Sequence, residues 1–133
     1  MPVRSLNSSV LQWPERSLVL ERLGQWAAEA RRRHPHLLAL GCFGSYARGD
    51  AGVGSDLDLV AIIPGSDLPF EKRSLDWDLS SLPVPAEILI YTEQEWTDLI
   101  AGGGGFARMI ETETLWLQEP GWDPPSPRHG SDS

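Results

Sequence analysis

Residues 43 to 60, FGSYARGDAGVGSDLDLV, constrain this chain more than any other stretch. They join two apolar runs, LLALGCF (37–43) and LDLVAII (57–63), each short enough for a buried strand. Gly44 breaks the first run. Ser45-Tyr46-Ala47-Arg48 reads as one helical turn closed by Gly49, and a glycine-rich loop fills 49–55. The second run opens on Asp56-Leu57-Asp58. Residues i and i+2 of a strand share a face. Asp56 and Asp58 therefore project side by side, while Leu57 and Leu59 point into the core.

Two carboxylates that close repel, and one is driven to hold a proton unless a cation lies between them. Hard oxygen donors favour Mg²⁺ over zinc, and Mg²⁺ characteristically takes one or two carboxylates with substrate phosphates completing its shell. Asp-x-Asp alone is also a common solvated strand end. The chain holds such a copy in Asp76-Trp77-Asp78, with no Gly-Ser before it, and that copy reads as surface. Gly-Ser changes the reading of the first pair. Glycine lets the backbone approach a ligand closely, and the free N–H groups of the following turn suit phosphate without a lysine. Ser45 adds a hydroxyl, and Arg48 a guanidinium able to fork onto phosphate oxygens; their plain alternatives are an N-cap and a surface cation. A third acid belongs on a neighbouring strand. Glu87, at the head of the apolar run AEILIYT (86–92), is the candidate, because charge in such a run is costly unless paired or ligating.

The remaining chain sets the frame. Val19, Leu23, Trp26, Ala27 and Ala30 lie on one face of a helix spanning 14–33, with Pro14 at its first position, Arg31 to Arg33 in its last turn and Pro35 beyond. A short helix and a loop fall in 67–82, and a helix in 93–100 turns Trp96, Leu99 and Ile100 inward. Gly102 to Gly105 form a flexible hinge, 106–111 a helical turn or two, and TLWLQ (114–118) a small last strand. The fold expected is an α/β (α+β) domain, a small mixed sheet with helices packed against it. Residues 1–13 read as a loose leader, 14–118 as the domain and 119–133, rich in Pro, Gly, Ser and Asp, as a disordered tail.

A chain of 133 residues carries one core. Its net charge of −8 excludes an extended surface tracking nucleic-acid phosphates, though not a nucleotide held through a metal. The single cysteine, Cys42, sits in an apolar run and reads as a buried, inert thiol. With neither a signal peptide nor an apolar run of spanning length in view, the cytoplasm is the expected location.

Gly44-Ser45, ten residues, then Asp56-Leu57-Asp58 resembles the motif of the DNA polymerase beta nucleotidyltransferase superfamily, and in particular its minimal nucleotidyltransferases. The wording GSYARGDAGVGSDLDLV matches as well, including Ser55 before the first aspartate. The likeness runs from the first helix to the strand of Glu87, and more faintly through TEQEW (92–96). It departs at Glu87, where the family most often has aspartate, one methylene shorter.

The resemblance implies transfer of a nucleoside monophosphate from a triphosphate, such as AMP from ATP, to an acceptor hydroxyl, with release of pyrophosphate. Asp56 and Asp58 would hold two Mg²⁺ ions. Glu87 would complete the site and help deprotonate the acceptor. Gly44, Ser45 and Arg48 would hold the β and γ phosphates, with Ser55 as a further nucleotide contact. Larger relatives carry a second domain for the acceptor. Minimal ones are often paired with a helical HEPN toxin and, as antitoxins, add AMP to a tyrosine of that partner. The toxin's own motif, an arginine, four to six residues, then His-x-Tyr, is mimicked by Arg31 and His36, but Leu38 stands at the tyrosine position. Two other readings are a nucleotide-binding module that docks on a partner without turnover, and a small-molecule nucleotidyltransferase acting as a homodimer.

Overall fold

The computed structural model describes residues 14–117, so the expected leader lies outside the described residues, as does the expected tail. Helix α1 (Arg16–Arg33) is followed by strand β1 (Ala39–Phe43), the single turn α2 (Ser45–Arg48) and strand β2 (Leu57–Ile63). A short helix α3 (Phe70–Arg73) runs into a 3₁₀ turn (Ser74–Asp76), then come β3 (Ala86–Thr92), α4 (Glu93–Gly102), α5 (Gly105–Glu113) and the two-residue β4 (Leu115–Trp116).

The four strands form one mixed sheet in the order β3-β2-β1-β4. β1 pairs antiparallel with β2, opposing Phe43 to Asp58, and antiparallel with β4. β2 runs parallel to β3, opposing Asp58 to Glu87. Such a parallel step needs a crossover, and residues 64–85 supply it.

Strand alternation divides the core. Leu40, Cys42, Leu57, Leu59, Ala61, Ile88 and Ile90 meet Val19, Leu23, Trp26, Ala27 and Ala30 of α1. The other face brings Ala39, Phe43, Val60 and Ile62 against Trp96 of α4 and Ile110 of α5. All five residues of β1 are buried because helices cover both sheet faces and strands flank both edges. Each fully buried leucine contributes about 2–3 kcal/mol.

The helix ends show local chemistry. α1 begins at Arg16 with Glu15 as N-cap and no side-chain cap, so Pro14 stands outside the helix rather than in its first turn. Arg32 and Arg33 pair with Glu29 on the same helix, and Arg31 donates to the Leu117 carbonyl. The arginine run is thereby engaged by acids and carbonyls of its own fold. α4 opens on a capping box: the Glu95 N–H donates to Thr92 Oγ1 at 3.1 Å, and the Thr92 N–H to Glu95 Oε1 at 2.9 Å. The expected hinge falls on a short connection. Gly102 closes α4, Gly105 opens α5, and only Gly103 and Gly104, both at positive φ, link them. Among the described residues, no helix is long and apolar enough to cross a membrane.

Candidate active site

Gly44 ends β1 at φ 82° and ψ −152°, a region open essentially to glycine alone. A Cβ placed there would lie 2.5 Å from Asp58 Oδ2. The sequence needs glycine at this point for two reasons, then: the backbone reverses, and a carboxylate rests against its Cα. The α2 turn follows directly. Gly49, at φ 89°, closes it by donating its N–H to the Ser45 carbonyl at 2.9 Å. Buried Tyr46 fixes the turn to the core, and Arg16 Nε, thirty residues earlier, donates to the Tyr46 carbonyl at 2.8 Å. Ser45 is half-buried and Arg48 exposed.

Asp56 stands just ahead of β2 and is exposed; Asp58, inside the strand, is half-buried. Glu87, exposed, faces Asp58 across the parallel register. The structure thus gathers all three acids at one end of two adjacent strands. Burial raises the Asp58 pKa above its ordinary value, and the charges of Glu87 and Asp56 raise it further, with Arg48 opposing. No donor among the described residues hydrogen-bonds the Asp58 carboxylate.

Three hard oxygen donors at one sheet end, with Glu87 and Asp56 both acting on Asp58, suit a divalent cation of the Mg²⁺ type in donor chemistry. In the conformation described, they are not drawn into a coordination sphere: among the described residues, no three His, Cys, Asp or Glu side chains are grouped to hold a metal ion.

Arg48, though exposed, has carboxylate neighbours. Its Nε lies 3.1 Å from Asp50 Oδ2 and its Nη1 3.6 Å from Glu113 Oε1 at the end of α5. Glu113 is the neighbour that sequence reasoning missed; 65 residues separate the pair, and no local pattern signals the contact. Ser55 is tied into its own loop, with Oγ accepting the Gly52 N–H at 2.9 Å and its N–H donating to the Gly52 carbonyl at 3.0 Å. Those two bonds shape the loop that delivers Asp56. Asp76 and Asp78 lie exposed, and Asp78 receives the N–H and hydroxyl of Ser80. Cys42 is fully buried, and burial beside Asp58 pushes its thiol up to about 12, so it is no nucleophile.

A second missed residue is structural. Arg73 is buried and bidentate to Glu95, at 2.6 and 3.1 Å, and also donates to the carbonyls of Ile90 and Leu68, both at 3.0 Å. Only the capping-box spacing from Thr92 to Glu95 hinted at one half of this arrangement.

Comparison with known proteins places this geometry. No curated protein matches the chain. Among solved structures, a candidate nucleotidyltransferase from Sulfolobus solfataricus superposes with a TM-score of 0.57 at 19% identity, covering 78% of this chain and 83% of that one. That likeness is one of fold. A toxin-antitoxin structure with AMP-PNP superposes with a TM-score of 0.49 at 16% identity, over 71% of this chain and 72% of that one. The model of the nucleotidyltransferase domain family matches residues 24–115, a span running from α1 to β4 and holding Gly44, Ser45 and all three acids. Matching well over half of its length, with the Gly-Ser corner set against paired aspartates, this chain belongs to the nucleotidyltransferase domain family.

Proposed function

We propose that this protein transfers a nucleoside monophosphate, AMP from ATP, to an acceptor hydroxyl. The observation that carries the reading is the Asp58 carboxylate lying against Gly44 and in register with Glu87, which places the acids beside the Gly-Ser corner. Gly44, Ser45 and Arg48 receive the β and γ phosphates, and Ser55 supports the nucleotide from the adjoining loop. Asp56 and Asp58 would hold two Mg²⁺ ions, with Glu87 completing the donor set. Such ions would supply charge neutralisation across the triphosphate. The chain's own part is positioning, which is most of what such a transfer requires. The acceptor oxygen forms its bond to the α-phosphorus as the α–β bond breaks; pyrophosphate leaves, and the acceptor's proton passes to Glu87.

For Arg48 to take phosphate oxygens, it must exchange the Asp50 and Glu113 carboxylates for them. An anion carrying several charges competes well for a guanidinium that is 45% exposed.

The acceptor we favour is a tyrosine hydroxyl on a helical HEPN-type protein, with this chain as the antitoxin. Support comes from the resemblance to minimal nucleotidyltransferases and from the net charge of −8, which suits a protein partner better than RNA. A specific observation also favours the nucleotide-binding module: Glu87 replaces the usual aspartate, and the three acids, though at one sheet end, are not grouped to hold a metal ion. One experiment separates the readings. The protein is purified with its bound partners and given ATP labelled at the α-phosphate with Mg²⁺. Label on a partner protein supports the antitoxin, and label on a small molecule supports the homodimeric enzyme. Binding without transfer supports the module. Asp56→Asn and Asp58→Asn each abolish transfer; persistence of transfer in either refutes the site.

A further inference from the structure

The site has two sides, and a ring stands on one of them. Across the sheet end, Glu87, Asp58 and Phe43 are opposed in sequence on β3, β2 and β1, so their side chains share one face. On that face, α5 ends its cover with Phe106. The Phe106 ring meets Phe43 edge-on, with centroids 6.1 Å apart at 84°. Phe106 is nevertheless 40% exposed, while Phe43 beneath it belongs to the buried cluster with Val60, Ile62, Trp96 and Ile110. A large apolar ring left this exposed, in contact with the cross-strand partner of Asp58, is only partly used by the core.

The position of that ring decides what it serves. Glu87, the acceptor's proton partner in the reading above, lies on the β3 side of Asp58. Phe106 lies on the β1 side, with Phe43 and the Gly44 corner that receives the phosphates. A group bound against Phe106 is therefore part of the donor nucleotide rather than the acceptor. At the other end of α5, Glu113 approaches Arg48, so the helix spans this donor side from ring to phosphate turn. Gly103 and Gly104, both at positive φ, set the entry of α5 and hence where its first-turn ring projects.

The geometry points to Phe106 as the platform on which the nucleobase of the triphosphate stacks, a specificity residue of the donor site. This inference rests on the nucleotidyltransferase reading. Stacking on an aromatic ring tolerates any base, so the site discriminates a nucleotide from a bare polyphosphate more than one base from another.

The test compares ATP with inorganic tripolyphosphate, each titrated with Mg²⁺ into the wild-type protein and into Phe106→Ala, Phe106→Leu and Phe106→Trp by calorimetry. Stacking on one side chain predicts that Ala and Leu weaken ATP binding by about tenfold or more, that tripolyphosphate binding stays unchanged, and that Trp keeps ATP affinity. The leucine variant preserves apolar bulk, so its loss of ATP alone separates stacking from packing. Equal weakening of both ligands, or of neither, overturns the inference and leaves the nucleotidyltransferase reading standing. So does intact ATP binding with a raised KM for the acceptor. Failure of the wild-type protein to bind either ligand overturns the parent reading and this inference with it.

Discussion

Replacing Gly44 by alanine tests the contact on which the site depends. Two costs are separable. At φ 82° and ψ −152°, an L-residue is strained by about 2 kcal/mol. The new Cβ also meets Asp58 Oδ2 at 2.5 Å. That oxygen ends a flexible side chain, so the contact is relieved by turning the carboxylate away, at about 1 kcal/mol of rotamer strain. The sum is about 3 kcal/mol, a fall in Tm of roughly 10 °C for a domain of this size. Urea unfolding of Gly44→Ala, Asp58→Ala and the double variant closes a cycle. The coupling expected is about 1 kcal/mol, with the backbone share of about 2 kcal/mol surviving in the double variant. Gly49→Ala is the control: it too has positive φ, but lies in the left-handed helical region with nothing within 4 Å, so it costs about 1 kcal/mol. Transfer falls far more in Gly44→Ala than in Gly49→Ala at temperatures where both are folded, because only the first displaces Asp58. A Gly44→Ala cost no greater than the control, or zero coupling to Asp58, refutes the argument.

Other consequences are independent of the site's chemistry. The two hydrogen bonds from Arg73 hold the Glu95 carboxyl down to about 2, below its ordinary value of 4.5. A depressed folded-state pKa gives stability that is complete above the unfolded value and lost as pH falls from 4.5 towards 2. Since Glu95 is 41% exposed, screening leaves about 1 kcal/mol of this, visible as an acid limb in urea midpoints that Arg73→Met removes. At neutral pH that variant also strands the Ile90 and Leu68 carbonyls, for a total cost of about 3 kcal/mol; a cost below 1 kcal/mol contradicts the arrangement. Cys42, with its thiol pushed up to about 12, resists a thiol-titrating disulfide at pH 8 until urea unfolds the chain; prompt reaction of the native protein refutes its burial. Gly41→Ala drives a Cβ to 2.5 Å from Thr114 Cγ2 and 2.9 Å from Trp116 Cε3, costing about 2 kcal/mol and releasing β4. Rapid amide exchange at Leu117, whose N–H bonds the Leu40 carbonyl, reports that release, and unchanged protection counts against it.

The elements were most legible where periodicity and breakers agree. Leu57–Ile63 and Ala86–Thr92 are strands over the spans that Pro64, Gly65, Pro83 and Pro85 delimit, and Ser45–Arg48 is a helical turn between two glycines. Their pairing was not legible. That β2 runs parallel to β3 and antiparallel to β1 follows from crossover length and from which faces α1 and α4 cover, and neither is written in a local pattern. The last strand shrinks to Leu115–Trp116, held beside Gly41 where the absence of a side chain admits Trp116. Within the site, the spacing put Asp56 and Asp58 on one face, because strand alternation is local geometry, while the contact of Asp58 with Gly44 comes from the β1–β2 pairing. The spacing could not place Glu113 beside Arg48 or Arg73 beneath Glu95, since those contacts are made by packing between elements far apart in sequence.

Two carboxylates of this domain are treated in opposite ways. Glu95 receives a bidentate arginine and a backbone N–H, and its pKa falls to about 2. Asp58 is half-buried, yet among the described residues it receives no donor, while two acids crowd it and its pKa rises. Arg48 is near enough to act on Asp58 electrostatically, but its hydrogen bond goes to Asp50 and its further ion pair to Glu113. A fold selected for stability alone would satisfy Asp58 as it satisfies Glu95, or replace it with an apolar residue. Withholding a partner is a cost with a use only if something from outside the chain supplies the missing positive charge. The glycine beneath the carboxylate fits the same logic, since it keeps the space around Oδ2 free of a side chain. Burial of an unpartnered Asp58, with repulsion from Glu87 and Asp56 added to it, is thus the physical reason to read this end of the sheet as a site, and binding of Mg²⁺ with nucleotide is the test of that reading.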